Sequence, residues 1–205
     1  YAGWNYRNES PLYMLDFHRD RLLRAATHWQ WQPAIDAISG DQGLQMLSKS
    51  ALKFVGSQET PLRLRIVIDA SGKITFHKFD TFPTSIGNLF PEKIPDQGVS
   101  PAENEPQAPP LYTLVVDDQS ISRSAFTHFK TTKREMYDAA RNRTCVKPGE
   151  SKEVLITNED DGTVMEGSIT TPSFWRDGRW VTPTVSAKFS KDAGSGGQDG
   201  TTRRW

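Results

Sequence analysis

The chain has 205 residues, and its 25 basic and 25 acidic side chains give a net charge of +0, so nothing in its charge points to a nucleic acid or an anionic membrane surface as partner. That length can bury a core as one large domain or two small ones. A single cysteine, Cys145, excludes an internal disulfide framework and a cysteine-based metal or iron–sulfur site, which suits a reducing, cytoplasmic compartment.

In chain order, residues 15 to 31 predict a helix entered after Asp16, with Leu22, Ala25, Ala26 and Trp29 on one apolar face. His18, Arg21 and Arg24 form a row on another side. Pro33 ends this element or starts the next. Leu44, Leu47, Ala51 and Val55 mark a second amphipathic helix that stops at Gly56. The period then changes. Leu62, Leu64, Ile66 and Ile68 alternate with other side chains as in a half-buried strand, and the Asp69-Ala70-Ser71-Gly72 turn leads into Lys73 to Phe79 as a hairpin. From Asp80 to Pro110 the chain has seven prolines, which reads as a crossing segment and a domain boundary. Leu111 to Val116 predicts a short strand. A lysine, Lys130, then sits between an apolar run and a helix that could run from Thr131 to Arg143. Strands are expected at Glu153 to Thr157 and Thr163 to Ile169, around a turn at Asn158 to Gly162. Another hairpin, Ser173 to Arg176 with Arg179 to Thr182, folds across Asp177-Gly178. The glycine cluster Gly194 to Gly200 precedes Thr201, the expected first turn of a helix. No apolar run approaches the ~18 to 20 residues that cross a bilayer, and the first residues show no signal-peptide pattern.

Taken singly, few residues carry chemistry. The four histidines lack HExxH or H-x-H spacing, so no metal site is expected. There is no G-x-S-x-G elbow for a serine hydrolase. The glycine cluster lacks the G-K-[ST] of a P-loop and the fingerprint of a dinucleotide site. A glycine loop entering a helix beside the hydroxyls of Thr201 and Thr202 is nonetheless a generic anion site, or else an ordinary flexible loop with a capped helix. An isolated lysine such as Lys130 is ordinarily a solvated surface charge.

Several stretches in order change that balance. Lys130-Thr131-Thr132, Asn158 to Ser168 (NEDDGTVMEGS), Phe174 to Pro183 (FWRDGRWVTP) and Gly200-Thr201-Thr202-Arg203 resemble successive motifs of class IV aminotransferases, and His18-Arg19-Asp20-Arg21-Leu22 resembles the family's H-x-x-R-L helix. These are fold-type IV pyridoxal-phosphate enzymes, among them branched-chain and D-amino-acid aminotransferases and aminodeoxychorismate lyase. The resemblance implies an α/β, two-domain, D-amino-acid aminotransferase-like fold: a smaller N-terminal α/β domain (residues 1–95), a proline-rich crossing (96–122) and a larger strand-rich cofactor domain (123–205). Relative to that pattern the sequence would lack the first strand and the C-terminal part.

The resemblance also implies roles. Lys130 would form the Schiff base with pyridoxal 5'-phosphate and shuttle the α-proton of substrate, which an amine does only with a depressed pKa. Glu166 would face the pyridine nitrogen and keep it protonated. Arg21, with Gly200, Thr201 and Thr202, would hold the phosphate. His128, Arg134, Tyr137 and Arg203 are candidate substrate or ring contacts, though Tyr137 also reads as a packed aromatic. Two departures from the family stand out. Thr170-Thr171-Pro172 replaces the usual asparagine after Glu166-Gly167, and Asp199 stands where proline is expected and should face solvent to spare the phosphate. The expected partner is a small amino-acid-like substrate, with no nucleic acid or membrane, in a homodimer. The segments around His18 to Ala26, Leu62 to Ile68 and Arg176 to Pro183 look most like the aminodeoxychorismate lyase branch, which eliminates pyruvate to give 4-aminobenzoate for folate biosynthesis. The alternatives are an aminotransferase for branched-chain or D-amino acids or amines, and a non-catalytic homologue that uses the cleft to bind a ligand or partner.

Overall fold

The computed structural model describes residues 10–57, 59–81 and 112–203, except for the side chain of Thr202. The proline-rich crossing expected after Asp80 lies almost entirely outside the described residues. Contacts divide the chain into two compact units: Tyr1–Pro83 with Gly200–Trp205, and Thr84–Asp199.

The first unit contains α1 (Leu15–His28), α2 (Gln32–Ile38), α3 (Gly40–Val55), β1 (Leu62–Ile68) and β2 (Ile74–Asp80), together with a 3-10 turn at Thr201–Arg203. α1 is shorter than its periodicity predicts because Gln30 turns left-handed at φ 56° just beyond it. The chain restarts at once as α2, with Pro33 in the first turn, where a missing N–H costs nothing. α3 begins at Gly40 rather than near Leu44. Gly43 permits the tight junction with α2, since a Cβ there would lie 2.2 Å from the Ile38 carbonyl carbon. Gly56, at φ 71°, ends α3 as expected. Met14, Ala26, Ala34, Ile38, Leu47 and Ala51 are buried along these helices. β1 and β2 form the expected antiparallel hairpin, with Ile68 opposite Ile74. Asp69 organises its turn, its Oδ1 accepting from Ser71 N–H, Ser71 Oγ and Lys73 N–H at 2.9, 2.6 and 3.1 Å.

In the second unit β3 (Thr113–Val116), β4 (Lys152–Thr157) and β5 (Val164–Gly167) form one sheet in the order β3-β4-β5. β3 runs parallel to β4, and β5 antiparallel to it. β3 lies within the span expected as a crossing, yet its ladder to β4 makes it part of this sheet. α4 (Ala125–His128) and α5 (Glu135–Arg143) link β3 to β4, and α5 packs on β4. The helix expected from Thr131 therefore starts four residues later. Before it, Ser124 and Thr127 form a reciprocal capping box that makes Ala125–His128 a single helical turn. Lys130 thus lies between two helices, not at a strand-to-helix junction. The core of this unit consists of Tyr137, Ala140, Val146, Val154, Ile156 and Met165. β6 (Phe174–Arg176) and β7 (Arg179–Val181) form the expected hairpin. Asp177 and Gly178 both have positive φ, 51° and 74°, as its two-residue turn requires.

One ion pair ties α5 to the end of β3. Arg143 Nε and Nη2 lie 3.1 and 2.5 Å from the two oxygens of buried Asp117, and this guanidinium holds the Asp117 carboxyl below its ordinary value. A depressed folded-state pKa stabilises the fold above the unfolded value, near 3.9, and that contribution fades as pH falls through the folded value. Asp117→Asn is expected to lower the melting temperature at neutral pH and to bring variant and wild type together as pH drops below about 4. Melting curves across that range check it; a constant difference down to the acid limit would contradict it.

Candidate active site

Three segments of the second unit converge on one pocket. β5 carries Glu166 into the interior, where it is 4 % exposed. α5 brings Tyr137 over it from one side, and the phenol donates to Glu166 Oε1. The glycine loop passes along the other side, so close that a Cβ at Gly197 would lie 2.2 Å from the Met165 carbonyl oxygen. That approach delivers Gln198 N–H to Glu166 Oε2 at 3.2 Å. The acid is therefore held at both oxygens.

Lys130 completes the pocket, lined also by Arg134, Tyr137, Glu166, Ser168 and Gln198. Its side chain is exposed, and its Nζ lies 3.5 Å from Gln198 Oε1, at the long end of hydrogen bonding. Gln198 thus reaches both groups: its backbone faces the acid and its side chain faces the amine. Arg134 donates through Nη2 to Ser168 O at 2.6 Å, and its guanidinium stands 5.0 Å from the Tyr137 ring centroid. Thr170 and Thr171 add hydroxyls to the wall, in the stretch where the sequence departs from the family pattern. The Tyr137 phenol is pushed far up from its ordinary pKa, first by burial and then by the negative charge of Glu166 and its hydrogen bond to it, with Arg134 opposing. It is a donor at any working pH.

Beneath the pocket lies a polar network. Glu153, 6 % exposed on β4, accepts from Ser168 Oγ at 2.6 Å, Ile169 N–H at 3.3 Å and Val154 N–H at 2.8 Å. Arg141 donates to Ser168 Oγ at 2.9 Å and stands 3.9 Å from Glu153 Oε1. Arg134, which caps the start of α5, Arg141 on that helix and Glu153 of β4 therefore fix the turn that follows Glu166.

Of the candidates read from the sequence, Lys130, Arg134, Tyr137 and Glu166 share this pocket. His128 does not line it. Its buried ring packs edge-on against Phe129 at 4.6 Å and beside Phe189 at 5.9 Å, and its carbonyl accepts from Asp199 N–H at 2.9 Å. Asp199 itself is 7 % exposed, so it does not face solvent as expected; the close run of the glycine loop against β5 and the bond to His128 carry it inside. Lys133, the next lysine along the chain, points elsewhere, with its Nζ 4.4 Å above the Phe126 ring. Arg21, Gly200, Thr201 and Arg203 belong to the first unit. There α1, which carries Arg21, packs against the Thr201–Arg203 turn, and Thr201 is buried. Arg21 lies 3.1 Å from His18 Nδ1. Gln198, Ser168, Glu153 and Arg141 were not singled out in the sequence. A signal existed for two of them: Ser168 follows Glu166-Gly167 directly, and Glu153 is an acid directly before the apolar run Val154-Leu155-Ile156. Among the described residues no group of three or more His, Cys, Asp or Glu side chains could hold a metal ion, and no helix is long and apolar enough to cross a membrane.

The chain is similar to known proteins in both sequence and fold. It is 33% identical over 89 residues to a Schizosaccharomyces pombe protein named "Putative aminodeoxychorismate lyase", an alignment covering 42% of this chain and 37% of that one. The chain thus spans little more than a third of this curated relative. A crystal structure titled "Putative amino-acid aminotransferase" from Mesorhizobium loti superposes with a TM-score of 0.58 at 20% identity, covering 97% of this chain and 75% of that one. At that identity the likeness establishes the fold alone. The model of the amino-transferase class IV family matches residues 3–205. The chain belongs to the class IV aminotransferase family.

Proposed function

We propose that this chain forms a pyridoxal-phosphate-dependent, aminodeoxychorismate lyase-like enzyme that releases pyruvate from an amino-acid-like substrate and leaves 4-aminobenzoate. The observation that carries it is the pairing of an exposed amine, Lys130, with a buried acid, Glu166, in one pocket, joined through Gln198. The donor set fits the cofactor: an amine accessible for covalent attachment, and a buried acid whose two oxygens both accept hydrogen bonds, suited to face a protonated ring nitrogen. Once bound, the cofactor would supply an electron sink for the substrate α-carbon. Lys130 would hold it and, when displaced by substrate, take the α-proton and deliver it to the departing enolpyruvyl group, which leaves as pyruvate. Glu166 would keep the ring-nitrogen proton in place. The family resemblance assigns the phosphate to Arg21, Gly200 and Thr201. The lyase branch is favoured by the similarity to the S. pombe protein and by the segments from His18 to Ala26 and from Arg176 to Pro183. By analogy with the family, the assembly would be a homodimer.

Incubating the protein with pyridoxal phosphate and aminodeoxychorismate, with no keto acid present, is expected to yield pyruvate and 4-aminobenzoate in equal amounts. Turnover that requires an added keto acid would instead support an aminotransferase.

A further inference from the structure

We propose that Tyr137 is a positioning residue that keeps Glu166 in its carboxylate form, and so keeps the cofactor's ring nitrogen protonated; this rests on the cofactor reading above. Glu166 is 4 % exposed and Tyr137 5 % exposed, so the pair is cut off from bulk water. Burial alone drives a carboxylate towards its neutral form, and hydrogen bonds to the charged form reverse that drive. Such donors reach Glu166 from two separate elements: the Tyr137 hydroxyl on α5 and the Gln198 N–H of the glycine loop. A backbone N–H has no other protonation state. The phenol behaves similarly here, since burial and the adjacent negative charge hold its proton. The cationic groups nearby are Arg134, against the Tyr137 ring, and Lys130, reaching the pair through Gln198.

When a carboxylate and a pyridine nitrogen share one proton, the less basic partner leaves it with the other. Donation from Tyr137 lowers the basicity of Glu166, and the proton stays on the ring, the form that best withdraws electrons. Phenylalanine at 137 would retain the aromatic packing against Ala140 and Val154 in the core, and remove only the donor.

The test uses the protein loaded with pyridoxal phosphate labelled with ¹⁵N in the ring, whose chemical shift reports the nitrogen's protonation. Wild type should give the protonated signal. Tyr137→Phe should move it towards the unprotonated value and lower kcat about tenfold, as expected for losing a hydrogen bond to a charged group, with cofactor affinity changing less than kcat. An unchanged nitrogen signal in a folded, loaded Y137F variant would overturn the proposal. A second measurement needs no variant. In wild type, exchanging the cofactor for its deaza analogue, with carbon in place of the ring nitrogen, should move the Tyr137 hydroxyl proton resonance, and an identical resonance would overturn the proposal. A wild-type protein that takes up no cofactor would overturn the reading beneath it as well.

Discussion

Lys130→Ala is expected to lower turnover by about 10⁴-fold or more while leaving the fold intact. The magnitude follows from the two tasks assigned to one amine, covalent anchorage and proton transfer at the substrate α-carbon, the second of which alone contributes roughly 10² to 10⁴. The neighbouring lysine cannot replace it, because Lys133 stands over the Phe126 ring and outside the pocket. Stability should hardly change. Lys130 is exposed, and its contact to Gln198 is long and contributes little. Steady-state rates together with melting temperatures check both halves. A small primary amine added to the variant should restore part of the rate, because it supplies the missing base. A variant that retains more than about a hundredth of wild-type turnover would contradict the assignment.

Glu153→Leu is expected to destabilise the protein by about 3 kcal/mol, lowering the melting temperature by about 10 °C. Leucine is of similar size, so the loss is one of partners rather than volume. Without the carboxylate, Ser168 Oγ and the Ile169 and Val154 N–H groups lose their acceptor, and Arg141 keeps its charge beside an apolar side chain. Breaking one partner of a buried ionic network costs more than the network's net contribution, since the remaining charge stays desolvated. Glu153→Gln, which keeps an acceptor oxygen, should cost less than half as much. The effect should reach the pocket, because Ser168 and Ile169 follow Glu166-Gly167 without a break. Thermal unfolding and cofactor affinity measured on the same samples check this, and a Glu153→Leu protein as stable as wild type would contradict it.

The sequence was most informative where local chemistry acts alone. The alternation from Leu62 to Ile68, the Asp69 turn, the stop at Gly56 and the Asp177-Gly178 hairpin depend on residues within a few positions, and each is present. It was less informative where one helix gives way to another. Thr131 to Arg134 have helical periodicity, but the Ser124–Thr127 capping box had already made a separate turn, and the chain turns at Phe129 and Lys130 before α5 begins. At Gln30 a left-handed residue shortened α1 in a way no periodicity reveals.

Lys130 and Glu166 were legible through ordered motifs, and so was the pair of elements that brings them together. The side chains that hold Glu166 were harder to find. Tyr137 reads from the sequence as a ring contact or a packed aromatic, whereas its hydroxyl reaches an acid from a strand 29 positions away. Gln198 gave no signal because one of its two contacts is made by its backbone. His128 flanks the lysine in sequence but turns into an aromatic cluster, since neighbours along an irregular segment do not share a face. Asp199 was expected outside on electrostatic grounds, and the close approach of Gly197 to β5 draws it in instead.

The nitrogen that holds the cofactor decides the assignment of Lys130 most directly. Incubation with pyridoxal phosphate, reduction with borohydride and mass mapping of the resulting peptides should find the reduced adduct on the peptide containing Lys130, and on no other lysine at equal occupancy. An adduct centred on Lys133, or a protein that remains colourless and unlabelled at saturating cofactor, would contradict it.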